Sequence, residues 1–180
     1  MSAKNTALLF LSFLFITTNC DGQKDSLSSW QQLKVERFSI YHPKELNVDT
    51  SGRMGTIFIL KTPLEDSSDK FLENFNLIGV HDVLNDFSIK EWGEANVRTL
   101  ASFLRNVKVI WEDTIAFSGE TIYKAIYDFQ SEFKNLRTIQ YYFKRKESFY
   151  ILTFASERKA FGRYEEFALK LMSTFSIAAD

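Results

Sequence analysis

Between residues 107 and 154 four apolar, strand-patterned segments follow one another with very little chain between them. They run over residues 107–117, 121–129, 136–143 and 149–154, and only residues 118–119, 132–135 and 145–148 separate them clearly. A parallel crossover needs a dozen or more residues, so connections this short impose an antiparallel meander. The side-chain pattern adds a second constraint. Residues 121–129 place Tyr123, Ala125, Tyr127 and Phe129 on one face and still carry Ile122 and Ile126 on the other, and residues 149–154 are apolar on both faces. A sheet with one wet face alternates cleanly between apolar and polar. This sheet must be covered, at least in part, on both sides.

Two segments with the helical period can supply the covers. Near the C-terminus Phe161, Tyr164, Phe167, Ala168, Leu171, Met172 and Phe175 form a broad apolar stripe, with Glu165, Glu166 and Lys170 opposite. Burying one such phenylalanine is worth about 1.5–3 kcal/mol, which makes this helix a main anchor of the core. Gly162 inside it costs about 1 kcal/mol relative to Ala and points to a close approach there. Over residues 89–105 Val97, Leu100, Ala101 and Leu104 share a face, with Trp92 about a turn earlier. Ser88 and Glu91 have capping-box spacing, and Glu94 precedes Arg98 in the favourable i,i+4 order. Upstream, residues 38–41, closed by His42-Pro43, residues 56–60, and residues 75–83 read as further strands. Residues 49–52 carry a turn signal, and residues 65–70 read as a loop or a single helical turn. The fold class expected is α+β, an α/β/α sandwich with a central antiparallel sheet.

This order of elements resembles the PsbP-like family. The residues that carry the resemblance are Phe38-Ser-Ile-Tyr41-His-Pro43, Phe75-Asn-Leu, Phe149-Tyr-Ile-Leu-Thr153, Phe161-x-x-Tyr164 and Met172-Ser-Thr-Phe-Ser-Ile177. It covers about residues 33–178 and implies the sandwich just described. The family's motifs are signatures of strands and helices, and function lives in sites grafted on folds. Plant and cyanobacterial members are extrinsic subunits or assembly factors of photosystem II, and many bacterial members are envelope lipoproteins. No motif ties this chain to the photosynthetic role.

The start of the chain has a different character. After Lys4, residues 7–16 form a ten-residue apolar run, the length of a secretory h-region and too short for a bilayer-spanning helix. Cys20 stands at its end, followed by polar, aperiodic residues 21–29. The placement resembles a bacterial lipobox, with Thr17 where Leu is usual and Asn19 where a small residue is usual. That resemblance implies removal of residues 1–19 and a fatty acyl chain on Cys20. Residues 20–32 then form the lipidated cysteine and a flexible tether, and a stretch of ten such residues reaches about 17 Å. Cys20 is the only cysteine, so an internal disulfide and every multi-cysteine zinc framework are excluded. Three of the 18 phenylalanines belong to the leader, so the aromatic richness is a property of the domain.

Few residues suggest chemistry. Lys and Arg number 22 against 23 Asp and Glu, a balance unlike the basic footprint of a nucleic-acid binder. His42 and His81 are far apart in the chain, with no second ligand at metal spacing. His81-Asp82 could orient an imidazole, but no nucleophile-elbow motif accompanies it. Residues 51–55 lack the lysine of a phosphate loop. No catalytic, cofactor or metal site is expected. The one basic cluster, Lys144, Arg145 and Lys146 at a hairpin tip, has Lys134 and Arg137 nearby in sequence and Tyr142 and Tyr150 beside it. These five, Lys144, Arg145, Lys146, Tyr142 and Tyr150, form the candidate contact surface. The expected function is a membrane-anchored binding or assembly module of the bacterial envelope, non-catalytic, with membrane lipid and an envelope protein as partners. Two alternatives stand beside it: a carrier of a small apolar ligand between sheet and helix, and a hydrolase using His81.

Overall fold

The short connections of the meander become hairpins, and the rest of the domain is arranged around them. The computed structural model describes residues 29–64, 71–81, 86–132 and 134–178; Cys20, its leader, residues 65–70 and Asp82 lie outside them. In chain order the elements are β1 (Trp30–Val35), β2 (Phe38–Pro43), β3 (Asn47–Asp49), β4 (Thr56–Lys61), β5 (Asn74–Val80), α1 (Ile89–Phe103), β6 (Arg105–Phe117), β7 (Glu120–Gln130), β8 (Asn135–Arg145), β9 (Ser148–Glu157), α2 (Phe161–Ser173) and β10 (Ser176–Ile177). Seven strands build one antiparallel sheet in the order β3-β4-β5-β9-β8-β7-β6, and a small sheet has the order β1-β2-β10.

Both faces of the large sheet are covered. On one face Ile122, Ile139, Phe143, Leu152 and Phe154 of the central strands meet Phe161, Ala168, Leu171 and Met172 of α2 and Phe38 and Ile40 of the small sheet. On the other, Tyr123, Ala125, Tyr127, Tyr142, Phe149 and Ile151 meet Trp92 and Val97 of α1. The two-sided apolar pattern of β7 and β9 is thus explained by one helix on each side. Register follows from it, because a one-residue slip would exchange the two cores.

Helix α1 begins as its sequence suggests. The Ser88 hydroxyl accepts from the Glu91 amide at 3.2 Å, and the Glu91 carboxylate accepts from the Ser88 amide at 2.9 Å. The Ser88 hydroxyl, which donates to the Glu91 carboxylate at 2.7 Å, and the Ser88 amide hold that carboxyl below its usual range. Trp92 stacks on Phe149 with centroids 4.2 Å apart, and Glu94 pairs with Arg98 at 3.6 Å.

Strand β1 starts upstream of residue 33 and pairs along its whole length with β2. Its residues, WQQLKV, alternate too weakly to separate from the polar stretch before them. The very short strands β3 and β10 carry no period at all. The strand begun near Phe75 ends at Val80. Gly162 serves no close approach, since a Cβ there would meet nothing within 4 Å. The glycine that does is Gly93, where a Cβ would lie 2.2 Å from Cδ1 of Tyr123. Edge strand β6 leaves Val109, Ile110 and Trp111 exposed, but two irregularities in its pairing with β7 break the regular ladder.

Candidate functional site

The hairpin between β8 and β9 holds the basic cluster, and its surroundings differ from those expected. Tyr142 is fully buried and Tyr150 nearly so. Tyr142 packs edge-on to Trp92 and donates its hydroxyl to Gln140, and burial pushes its pKa up. Tyr150 points to the other face, edge-on to Phe38. Opposite faces, both covered, leave neither ring for a partner, so the aromatic half of the expected contact surface belongs to the core. The cations are also engaged. Lys144 donates to Asp86 at 3.0 Å and to the Phe87 carbonyl at 2.6 Å, which ties the hairpin to the start of α1. Arg145 clasps the Glu120 carboxylate through two bonds of 2.5 and 2.6 Å, linking this hairpin to the neighbouring one. Lys146 sits in the turn with a left-handed backbone, φ 52°.

Two hairpins and β10 frame a depression of about 230 Å³, lined by Phe117, Phe143 and Phe175, with Ser118, Glu120, Arg145 and Ser176 around them. Its apolar lining is three phenylalanines and Ile177, as a carrier would need. It lies at the end of the sheet, however, and falls below the roughly 300–1,000 Å³ usual for a ligand pocket.

His81 meets a partner that sequence reasoning did not supply. Its Nδ1 lies 3.0 Å from Oγ of Ser148 in the adjacent β9. The ring stands edge-on to Tyr150, and its Nε2 faces Gly79, whose missing side chain leaves it room. A serine–histidine catalyst needs a carboxylate or carbonyl on the second ring nitrogen to orient the base; Asp82, which follows His81 in the chain, lies outside the described residues. His42 is buried with Nδ1 2.7 Å from the Pro43 carbonyl, a satisfied core histidine. Among the described residues no three His, Cys, Asp or Glu side chains converge in a way that could hold a metal.

Lys134 and Arg137 are not part of the hairpin cluster. They lie at the opposite end of β8, and the seven steps from Arg137 to Lys144 span about 24 Å of strand. That far end is a second basic region. Arg137 grips Asp128 through bonds of 2.6 and 2.9 Å and holds its carboxyl below the usual range. Lys134 pairs with Glu157 and has the same effect on it. Around these pairs stand Lys108 on β6 and Arg158 and Lys159 after β9. Arg158 approaches Asp128 only to 3.8 Å and keeps 59% of its side chain exposed; Lys159 reaches Glu157 at 3.2 Å with 81% exposed. Two adjoining depressions, of about 160 and 460 Å³, share Asn135 and Arg158. Sequence reasoning could not assemble this region, because Lys108, Lys134 and Arg158 come from three different strand ends.

Comparison with solved structures bears on the scaffold. The cyanobacterial PsbP (CyanoP) of Synechocystis superposes with a TM-score of 0.61 at 12% identity, over 83% of this chain and 92% of that one. The fold is PsbP-like. The same sandwich occurs in the Ran-binding protein Mog1p of Saccharomyces cerevisiae, with a TM-score of 0.57, 8% identity and coverage of 82% and 95%. It occurs again in LpqN of Mycobacterium tuberculosis, a protein involved in cell envelope biogenesis, with a TM-score of 0.52, 10% identity and coverage of 79% and 83%. No family model and no curated protein matches the sequence. At 8–12% identity these likenesses show the fold alone, and the ends of this sandwich must be read on their own chemistry.

Proposed function

We propose that this chain is a lipid-anchored protein of the bacterial envelope whose PsbP-like domain binds or assembles with another envelope component and catalyses nothing. The observation that carries the reading is Cys20, the only cysteine, standing at the end of a ten-residue apolar run ahead of a complete sandwich. The distribution of ionisable groups supports the non-catalytic part. Lys144, Arg145, Lys134 and Arg137 are each matched to a carboxylate on a neighbouring element, an arrangement that braces hairpins. A catalytic centre instead gathers such groups around a substrate-sized cavity. LpqN's involvement in envelope biogenesis and Mog1p's binding of Ran are precedents for interaction roles on this scaffold. Among the described residues no helix is long and apolar enough to cross a membrane.

Metabolic labelling with a fatty acid tests the anchor: the wild-type chain takes up label and Cys20→Ala does not. Equal labelling of the two rejects it. Cross-linking in intact cells, followed by identification of the adduct, tests the binding role. The carrier reading is favoured by the phenylalanine-lined depression alone. It predicts saturable uptake of a fluorescent fatty-acid analogue that Phe117→Ala weakens, and no uptake means no carrier.

A further inference from the structure

We propose that the end of the sandwich carrying Lys108, Arg158 and Lys159 is a docking surface for the headgroups of anionic phospholipids. The proposal rests on the anchored-domain reading and adds which way the domain faces its membrane.

Three observations lead there. The first is charge. At this end the Arg137–Asp128 and Lys134–Glu157 pairs cancel internally. What is left is Arg105, Lys108, Arg158 and Lys159 against Glu132 and the buried Glu73, whose carboxylate accepts from Ser156 next to Glu157, a surplus of two positive charges among these described strand-end residues. At the opposite end Lys144 and Arg145 are answered by Asp86 and Glu120.

The second is shape. Arg158 stands at the wall shared by the two depressions, with its guanidinium bound to Asp128 only loosely. A planar fork of donors beside a shallow, solvent-open hollow matches the oxygens of a phosphodiester. Asn135 lines both hollows and Gln130 the smaller one, and the carboxylates that line them, Asp128 in the smaller and Glu157 in the larger, are each paired with a base, Arg137 and Lys134.

The third is the direction of the chain. Strand β1 runs alongside α2 in the same sense. The Trp30 ring lies 5.9 Å from Phe167, in the middle of the helix, while Tyr41, the partner of Gln32, bonds Thr174 at the end of α2. The chain therefore enters the domain from the side of Phe161, over which Arg137 sits at 5.3 Å. From Phe167 back to Phe161 is about 9 Å along the helix axis. A ten-residue tether between Cys20 and Trp30 reaches about 17 Å. The basic end therefore lies within reach of a bilayer that holds an acyl chain on Cys20. A surface within a Debye length of anionic headgroups, about 8 Å at physiological salt, feels their field.

Vesicle flotation of the full chain carrying Cys20→Ser, which has no acyl acceptor, tests the surface apart from the anchor. The chain should associate more strongly with vesicles of mixed phosphatidylcholine and phosphatidylglycerol than with phosphatidylcholine alone, and the difference should fall as salt rises. Each base near an anionic surface contributes about fivefold to binding, so Arg158→Glu with Lys159→Glu should weaken the anionic preference by at least about 25-fold. Lys108→Glu, which leaves the Arg158–Asp128 contact intact, should weaken it in the same direction, and Lys146→Glu at the far end should not. Equal association with the two kinds of vesicle overturns the proposal. So does an anionic preference that survives the Arg158/Lys159 reversal, or one lost equally in Lys146→Glu. Cross-linking to an acidic protein without any anionic preference overturns it too. Fatty-acid labelling of Cys20 is read separately, so failure of the anchor and failure of the surface are distinguishable.

Discussion

The same substitution, glycine to alanine, should have opposite effects in the two helices. In α1 a Cβ on Gly93 would lie 2.2, 2.5 and 2.8 Å from Cδ1, Cγ and Cε1 of Tyr123. Ordinary contact begins near 3.4 Å, so the worst approach is about 1.2 Å too short. The ring has little freedom to yield. Tyr123 is 1% exposed, its hydroxyl donates to Glu112 at 2.5 Å, and Tyr142 stands against it at a centroid distance of 5.5 Å. Relief must come from lifting α1 off the sheet, which loosens Trp92 from Phe149 and opens the second core. Overpacking of this kind costs about 1–3 kcal/mol, occasionally more. Alanine returns about 1 kcal/mol of helix propensity. An overlap of this size on a held ring belongs to the upper part of the overpacking range, about 2–3 kcal/mol, so the net expectation for Gly93→Ala is destabilisation of about 1–2 kcal/mol, a fall in Tm of roughly 2–8 °C for a domain of this size. Gly162→Ala meets open space and keeps the propensity gain alone, so it should stabilise by about 0.5–1 kcal/mol. Urea titrations of the two variants and the wild type, read by tryptophan fluorescence with m held under scrutiny, give both signs in one experiment. Gly93→Ala as stable as wild type would refute the claim that α1 sits at contact distance on Tyr123.

Trp92→Ala removes a ring stacked at 4.2 Å on Phe149 and should cost about 3–5 kcal/mol, seen as an early midpoint in the same titration. Asp128→Asn breaks the fork with Arg137 and should cost about 2 kcal/mol near neutral pH. The Asp128 carboxyl is held low in the folded state, so its contribution is present above the ordinary aspartate pKa, about 3.9, and is lost as pH falls through the folded value. The gap between wild type and Asp128→Asn should therefore shrink in acid, as measured by thermal melts across pH. Glu120→Gln releases Arg145 and should loosen both hairpins without unfolding the sheet, which amide exchange at residues 144–148 would reveal.

The architecture was legible in the sequence because it rests on period and connection length. Two-residue and four-residue connections leave only hairpins, and apolar residues on both faces of β7 and β9 leave only a sheet between two covers. Strands that lack a period, β1, β3 and β10, escaped, since their pairing is decided by neighbours distant in sequence, as when Ser176 meets Ser39. The surface was hardly legible. Lys134 and Arg137 stand near Lys144 in the chain, and an extended strand turns that nearness into separation, because each residue adds about 3.4 Å. Lys108 and Arg158 show the converse: 50 positions apart, they line one hollow, since antiparallel hairpins return every second strand end to the same side. Tyr142 and Tyr150 stand beside lysines in sequence, yet alternation sends their rings into the two cores. A contact surface on a meander is therefore a set of strand ends, drawn from residues one hairpin period apart. It is found by following the ladder register, whereas a run of like charges along the chain marks only one tip and leaves out the partners that neutralise it.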